Sequence, residues 1–597
     1  MFDYFAIAWD SKSEDTNAAA SELKQRVGQR LSRMRTCFER DGLQVWCTPV
    51  SVDYQVYPIN SEGVVVGTLF KNDSSHVSSE TFTRGYVSSM GNVDSSTIGC
   101  LCSAYWGRFV GFSRDTVTGS AIIFRDPSGF MNCLRTSWKA VQIFCSDVAD
   151  CKDVGLSFSV DWEFVAAHIS SWKARGIHTA LKEAKYLPPG CYVVVEKGVL
   201  REGRFWDPIQ ISLDSVRCER DAEELLYGAV TRSVSAWASL HRKVIIHLSG
   251  GLDSSIVAGC VRHMKPEVEL YALNYYSTGA ISDERDYARE VAGFLTCPII
   301  ERERTPQVDL AKMLSCRSSA RLDFNVMWLE TSSVHSELSR SLSATAILSG
   351  SGGDQIFGSG LNALSGADYA RRRPFGPKIF ELCKQAALLE RRSIWNVLGG
   401  AYRYGVRREA FDPQAEYKAR MPLVTDKAKQ FALRRELEYH PWRAAGSRLP
   451  PGKLSHLALL VNRLTGDALV KPGDADMLDP LMSTRAVEAA LRIPTYFLFR
   501  DGWDRGLARK AFCGLIPNSI AQRASKGGTM EHMLSILAVN LPFLRSLLVG
   551  GVLAQRGFVD EREIRQALSH EGASRASLMD ILQIATAEAR LLSWVSR

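Results

Sequence analysis

At 597 residues the chain is longer than one hydrophobic core can serve, so two to four domains are expected. Its hydrophobic fraction of 46%, charged fraction of 23% and net charge of +8 exclude a disordered chain and a dedicated nucleic-acid binder. No apolar run reaches the ~20 residues of a membrane span, and the 14 cysteines contain no CxxC pair to outline a zinc site. The opening MFDYFAIAWDSKSED has no basic region of the kind that begins a secretory signal. A cytoplasmic protein with reduced thiols and no membrane partner is expected.

Residues 1–210 read as one β-rich α+β domain. Alternating or apolar runs at 4–9, 43–46, 63–70, 109–112, 121–124, 140–144 and 191–195 predict strands, with turn-forming clusters at 72–75 and 126–129 between them. Helical spacing is expected over 18–41 and 161–175. Pro188-Pro189-Gly190 leads into a short strand pair ending at Phe205-Trp206, and a boundary is expected near 207–219. Residues 211–597 form the second domain. There a helix over 221–242 precedes strand 243–249, helix 255–264, strand 268–275, helix 283–295, strand 298–303, a helical stretch over 308–341 and strand 344–348. Such alternation predicts an α/β, doubly wound parallel sheet, which binds ligands at the carboxyl ends of its strands. From Leu361 onward the chain reads as mostly helical, including an amphipathic helix over 478–494 closed by Pro494. The basic clusters Arg371-Arg372-Arg373 and Arg403, Arg407, Arg408 read mainly as solvated helix faces.

Two strand ends carry the chemistry. The first is KVIIHLSGGLDSSIV, from Lys243 to Val257. Gly250 and Gly251 let the backbone turn and pass close to a ligand. Ser254 and Ser255 open the next helix, whose unpartnered N–H groups and dipole favour an anion. Asp253 stands at the lip of that site, where a carboxylate tolerates phosphate only with Mg²⁺ between them. No Lys follows the glycines, so this is not the phosphate loop of kinases and GTPases. An ordinary βα turn also contains Gly and Ser, but the whole string Ser249-Gly250-Gly251-Leu252-Asp253-Ser254-Ser255 is far rarer. It resembles the SGGxDS loop of ATP-pyrophosphatase enzymes, in which a substrate oxygen attacks the α-phosphate of ATP to give an adenylate. The second strand end, SGSGGDQIFG over 349–358, repeats the pattern and delivers Asp354. Two acids at neighbouring strand ends would clamp Mg²⁺–pyrophosphate. Lys526, beside glycines in RASKGG, is of the type that stabilises charge on an α-phosphate, although a lone lysine is most often a surface residue.

Taken together, SGGLDSS (249–255), SGSGGDQIFG (349–358), LDPLMSTRAVEAALRIP (478–494) and the DG…LARKAF…IPNSIAQRASKGG run (501–528) resemble the asparagine synthetase B-type family. YWGRFVGF (105–112), IIFRDPSG (122–129) and YLPPGCYVVV (186–195) resemble that family's glutaminase-like domain more faintly. The resemblance implies a degenerate glutaminase-like, Ntn-type sandwich over 1–210. An ATP-pyrophosphatase-type adenylating domain would follow over 211–597, with a helical C-terminal part. It further implies that Ser249, Gly250, Gly251, Asp253, Ser254 and Ser255 bind the ATP phosphates and that Leu248, Ser349 and Gly350 flank the adenosine. Asp253 and Asp354 would hold Mg²⁺, and Lys526 would contact the α-phosphate.

The departures narrow the reading. Glutamine-dependent members open on a nucleophilic Cys, whereas this sequence opens Met1-Phe2-Asp3 and its first Cys is Cys37, inside the helix expected over 18–41. Val66-Gly67-Thr68-Leu69-Phe70 stands where the family's glutamine-binding Asn-Gly-Glu would be. Three residues before Asp354, asparagine synthetases carry Glu and β-lactam synthetases carry Tyr; here stands Ser351, a poor base without a partner. Lost glutaminase chemistry, an intact adenylating half and the GGD variant of the second loop resemble the lasso peptide cyclases. Those enzymes adenylate an Asp or Glu side chain of a precursor peptide and let its N-terminal amine close a macrolactam, with release of AMP and pyrophosphate. The implied partners are the precursor peptide and leader-recognition and leader-peptidase proteins. Two other readings stay open: an ammonia-dependent asparagine synthetase or other small-molecule (β-lactam synthetase-like) ligase, and a non-catalytic scaffold.

Overall fold

A computed structural model describes residues 2–49, 51, 54–59, 61–73, 75–77, 95–170, 176–279, 283–374, 376–412, 422–434, 441–464, 475–524, 527–569 and 575–595. Among the described residues twelve strands precede residue 205: β1 (Tyr4–Ala8), β2 (Arg35–Arg40), β3 (Leu43–Cys47), β4 (Gln55–Ile59), β5 (Gly63–Lys71), β6 (Tyr105–Arg114), β7 (Ala121–Arg125), β8 (Leu134–Trp138), β9 (Val141–Cys145), β10 (Lys185–Tyr186), β11 (Cys191–Glu196) and β12 (Val199–Arg204). They form two six-stranded antiparallel sheets, in the orders β10-β8-β9-β1-β3-β2 and β12-β11-β7-β6-β5-β4. The sheets face each other across a core of Tyr4, Ala6 and Val45 from one, and Val66, Phe112, Ile123 and Val193 from the other. The opposite face of the first sheet, with Phe5, Ile7 and Ile143, is covered by Ala20, Leu23 and Val27 of helix Glu14–Arg30. Burial on both faces is why β1 reads as an unbroken apolar run.

The expected helix over 18–41 is corrected here. It ends at Arg30, and β2 follows as an edge strand that contains Cys37. Arg40 pairs with Leu43, so Asp41 and Gly42 make a two-residue hairpin turn, with Gly42 at φ +83°. A turn that needs positive φ overrides the weak helical spacing before it.

The second half carries β13 (Lys243–His247), β14 (Glu269–Tyr276), β15 (Ile299–Glu303), β16 (Ala346–Leu348) and β17 (Asp476–Leu478). These make a parallel five-stranded sheet in the order β15-β14-β13-β16-β17. The doubly wound arrangement expected from the alternation is present. The helix expected over 478–494 is corrected: its first residue, Leu478, ends the edge strand β17. Pro480 follows instead in a short 3-10 turn, and the helix spans Thr484–Arg492. Helices Leu252–Met264 and Arg285–Phe294 pack on one face of the sheet, and Met327–Leu342 on the other.

The halves share a core: Phe70 and Trp106 of the antiparallel sandwich pack on Trp237, at ring-centroid distances of 4.9 and 6.4 Å. Arg108 of β6 forms an ion pair with Asp476 of β17. Among the described residues no single helix is long and apolar enough to cross a membrane.

Candidate active site

The chain leaves β13 for β14 on one side and returns through β16 on the other, so the crevice above β13 and β16 is the switch point of the sheet. Both glycine-rich turns open there. Leu248 donates its N–H to Leu273 O at 2.9 Å and accepts from Asn274 Nδ2 at 2.7 Å, which ties the first loop to β14. Gly250 has φ +72°, and a Cβ on it would lie 2.7 Å from the backbone nitrogen of Ala288. Only glycine lets the loop turn against the first turn of helix Arg285–Phe294. The serines hold the loop from within. Ser249 N–H donates to Ser254 Oγ at 3.3 Å, Gly251 N–H to Ser249 Oγ at 3.2 Å, and Ser255 Oγ to Gly251 O at 2.8 Å. The helix begins at Leu252 rather than at Ser255, which places Asp253 inside its first turn.

The second loop closes on the first. Ser349 and Gly350 follow β16, whose Leu348 is paired with Ile246 of β13. A Cβ on Gly350 would stand 2.5 Å from Ser254 N, and one on Gly353 would stand 2.4 Å from Asp253 Cγ. Glycine at these two positions is what lets the loops touch. Gly352, at φ +94°, turns the chain into the five-residue helix Gly353–Phe357 that carries Asp354. The structure therefore brings Leu248, Ser249, Gly250, Gly251, Asp253, Ser254, Ser255, Ser349, Gly350 and Asp354 to one crevice.

The two acids meet at a cation. Arg505 Nη1 lies 2.8 and 3.0 Å from the two carboxylate oxygens of Asp253 and 3.2 Å from Asp354 Oδ1. Its Nε donates to Asp504 Oδ2 at 3.1 Å. Burial opposes the charge on Arg505, but Asp253, Asp504 and Asp354 outweigh it and hold the guanidinium above its ordinary pKa. Two carboxylates converging on one positive group supply the hard oxygen donors that Mg²⁺ takes, so the residues fit that ion.

Lys526 lies outside the described residues. Its neighbours are tied to the first loop: Arg523 Nη1 donates to Gly250 O at 3.1 Å, and Gly527 N–H donates to Glu284 Oε1 at 2.8 Å. Glu284 also accepts from Arg523.

Ser351 has a partner, and it is a cation. Arg463 Nη2 donates to Ser351 Oγ at 2.5 Å and to Asp479 Oδ2 at 2.7 Å, while Ser349 Oγ donates to Asp479 Oδ1 at 2.5 Å. A guanidinium beside the hydroxyl makes Ser351 a worse base, not a better one. Beneath the loop, His456 Nε2 donates to Gln355 O at 2.6 Å, and its Nδ1 faces buried Lys453 at 3.4 Å.

Arg505, Arg463, Asp479, Arg523 and Glu284 were not singled out from the sequence. Arg505 and Arg523 fall within the 501–528 run, and Asp479 within the LDPLM string, but nothing local marks their roles.

The profile of the asparagine synthase family matches residues 222–596, more than half of the chain. No curated protein matches the sequence. Solved structures with some likeness include an allosteric regulatory enzyme of purine biosynthesis, 9% identical, covering 51% of this chain and 82% of that one with a TM-score of 0.23. Another is the glutamine phosphoribosylpyrophosphate amidotransferase from B. subtilis, complexed with ADP and GMP, at 10% identity, 52% and 68% coverage and a TM-score of 0.20. NMN synthetase from Francisella tularensis is 12% identical, with 38% and 97% coverage and a TM-score of 0.18. On the profile match, the chain belongs to the asparagine synthase family, whose chemistry is ATP-dependent amide formation.

Proposed function

We propose that the chain is a macrolactam synthetase of the lasso-peptide type. It adenylates the side-chain carboxylate of an Asp or Glu in a precursor peptide and joins it to that peptide's N-terminal amine. The N–H groups opening helix Leu252–Met264 and the loop 249–251 grip the phosphates of ATP. Asp253 and Asp354 would hold Mg²⁺, which supplies positive charge between the acids and the phosphates. Lys526 acts on the α-phosphate. A carboxylate oxygen of the peptide attacks the α-phosphorus and pyrophosphate leaves. The amine nitrogen then attacks the acyl carbon, AMP leaves with the carboxylate oxygen, and the neutral amine gives up one proton to solvent and keeps the other as the amide N–H.

The observation that carries this reading is Ser351 under the guanidinium of Arg463. A site that recruits a free amine gains from a base at this position, and a cation there offers none. An amine tethered to its own carboxylate depends instead on orientation. In the same direction, Val66, Leu69 and Phe70 are buried in β5 and Thr68 Oγ1 accepts from Arg108 Nε at 3.4 Å, where the family's Asn-Gly-Glu would meet glutamine. Leader-recognition and leader-peptidase proteins would prepare the peptide in the cytoplasm.

The test is AMP and pyrophosphate release from ATP and Mg²⁺, with a leaderless precursor peptide in one series and aspartate plus ammonia in the other. Turnover with the peptide alone is expected. Turnover with aspartate and ammonia would make the chain a small-molecule ligase, and inactivity in both series would favour the scaffold.

A further inference from the structure

Arg505 does more than complete an ion-pair network. Its guanidinium lies between the acids that the two loops deliver, 2.8 Å from Asp253 Oδ1 and 3.2 Å from Asp354 Oδ1. The residue is 7% exposed and sits at φ +57°, a backbone conformation that a long side chain rarely adopts. Gly506 follows, and a Cβ there would fall 2.4 Å from Arg500 O, so the chain on either side of Arg505 is closely confined. The position is therefore built, not incidental.

Three carboxylates, Asp253, Asp354 and Asp504, share one guanidinium. Removing the partner of a buried acid leaves uncompensated charge, so Asp253, which is buried, needs a counter-charge, whereas the half-exposed side chain of Asp354 is reached from solvent. A divalent ion coordinated by Asp253 and Asp354 would place its charge where Nη1 now lies, and two cations do not share that space. Asp504 offers the guanidinium a second anchor through Nε.

We propose that Arg505 and the divalent cation are alternative counter-ions of the Asp253–Asp354 clamp. Loading of the metal–nucleotide exchanges the guanidinium off these two acids, leaving it on Asp504 and facing the incoming phosphates. The inference rests on the nucleotide reading above and adds an order to it: the clamp rejects free metal and accepts metal that arrives with phosphate. The phosphate is what makes exchange favourable, because it gives the displaced guanidinium a new anionic partner. Arg505 is a phosphate-binding residue in this scheme, distinct from the acids that bind the ion.

The test uses the full chain and Mn²⁺ as the probe, followed by its paramagnetic signal and by calorimetry. Without nucleotide, the wild-type protein is expected to bind Mn²⁺ at least about tenfold more weakly than Arg505→Gln, the factor that corresponds to about 1.4 kcal/mol of competing ion pairing. Adding Asp253→Asn to Arg505→Gln should abolish the gain, and Arg505→Lys, which keeps the charge, should stay near wild type. A folded Arg505→Gln with wild-type Mn²⁺ affinity would overturn the exchange. So would tight Mn²⁺ binding by the wild-type protein alone, a result that does not depend on any variant folding. Failure of the wild-type protein to bind Mn²⁺ with a non-hydrolysable ATP analogue is a different outcome: it removes the nucleotide reading, and the exchange with it.

Discussion

Gly353 is the smallest residue on which the site depends. A Cβ there would lie 2.4 Å from Asp253 Cγ, so Gly353→Ala must push apart the two loops that hold the acids. The affected helix is only five residues long and lies at the crevice, so the global fold should survive. The expected result is a loss of pyrophosphate release of about a hundredfold or more with little change in melting temperature, as for a misplaced catalytic group. An equal loss of both would mean that Gly353 serves packing alone. At this scale the sequence was informative about the acids and silent about their cation. Asp253 and Asp354 each follow a glycine-rich turn at a strand end, a pattern visible within ten residues. Arg505 meets Asp253 from 252 positions away, and no local spacing encodes that distance. Arg463 likewise reaches Ser351 from 112 positions away.

Among elements, the helix Gly353–Phe357 is too short to stand alone and is fixed from below. His456 donates to Gln355 O, Lys453 donates to Ala490 O at 2.9 Å and to Ile493 O at 2.6 Å, and Asp368 accepts from Gly452 N–H at 2.7 Å and from Thr495 Oγ1 at 2.5 Å. Burial drives these groups toward their neutral forms: Lys453 falls from 10.5 to about 7 and Asp368 rises from 3.8 to about 6. Between about pH 7 and 10.5 the unfolded chain carries a proton on Lys453 that the folded chain does not. Folding then releases that proton, so its contribution to stability rises with pH across this window and is lost as pH falls through about 7. Chemical denaturation at several pH values should show that rise in the wild-type protein and a flatter profile in Lys453→Met. Identical slopes would place the lysine in a wetter setting. The central alternation of strand and helix was legible because β13 and β14 are buried on both faces and read as apolar runs. The edges were not: β2 has no buried residue and β17 is three residues long, and a hairpin turn and a proline decide them, respectively.

Across the whole molecule, the antiparallel sandwich and the parallel sheet are joined through side chains that neither half explains by itself. Arg108 leaves β6, lies over the rings of Tyr54 and Trp237 at 4.1 and 4.9 Å, and reaches Asp476 on the edge strand next to β16. Arg108→Ala leaves a partly buried Asp476 without this partner and is expected to cost about 3–5 kcal/mol, seen as a lowered denaturation midpoint. A change within about 0.5 kcal/mol would show the pair to be solvated, as ordinary surface pairs are. The linkage packs the antiparallel sandwich against the edge of the parallel sheet. The sequence displayed both halves but not their union, because Phe70, Trp106 and Trp237 each read as ordinary core residues of their own segment.

The central claim is that a side-chain carboxylate is adenylated before the amide forms. A leaderless precursor whose acidic side chain carries heavy oxygen tests it directly, with the released nucleotide and the peptide weighed after turnover. One heavy oxygen in the phosphate of AMP and a peptide lighter by one water are expected. Unlabelled AMP, or heavy oxygen in inorganic phosphate beside ADP, would contradict it.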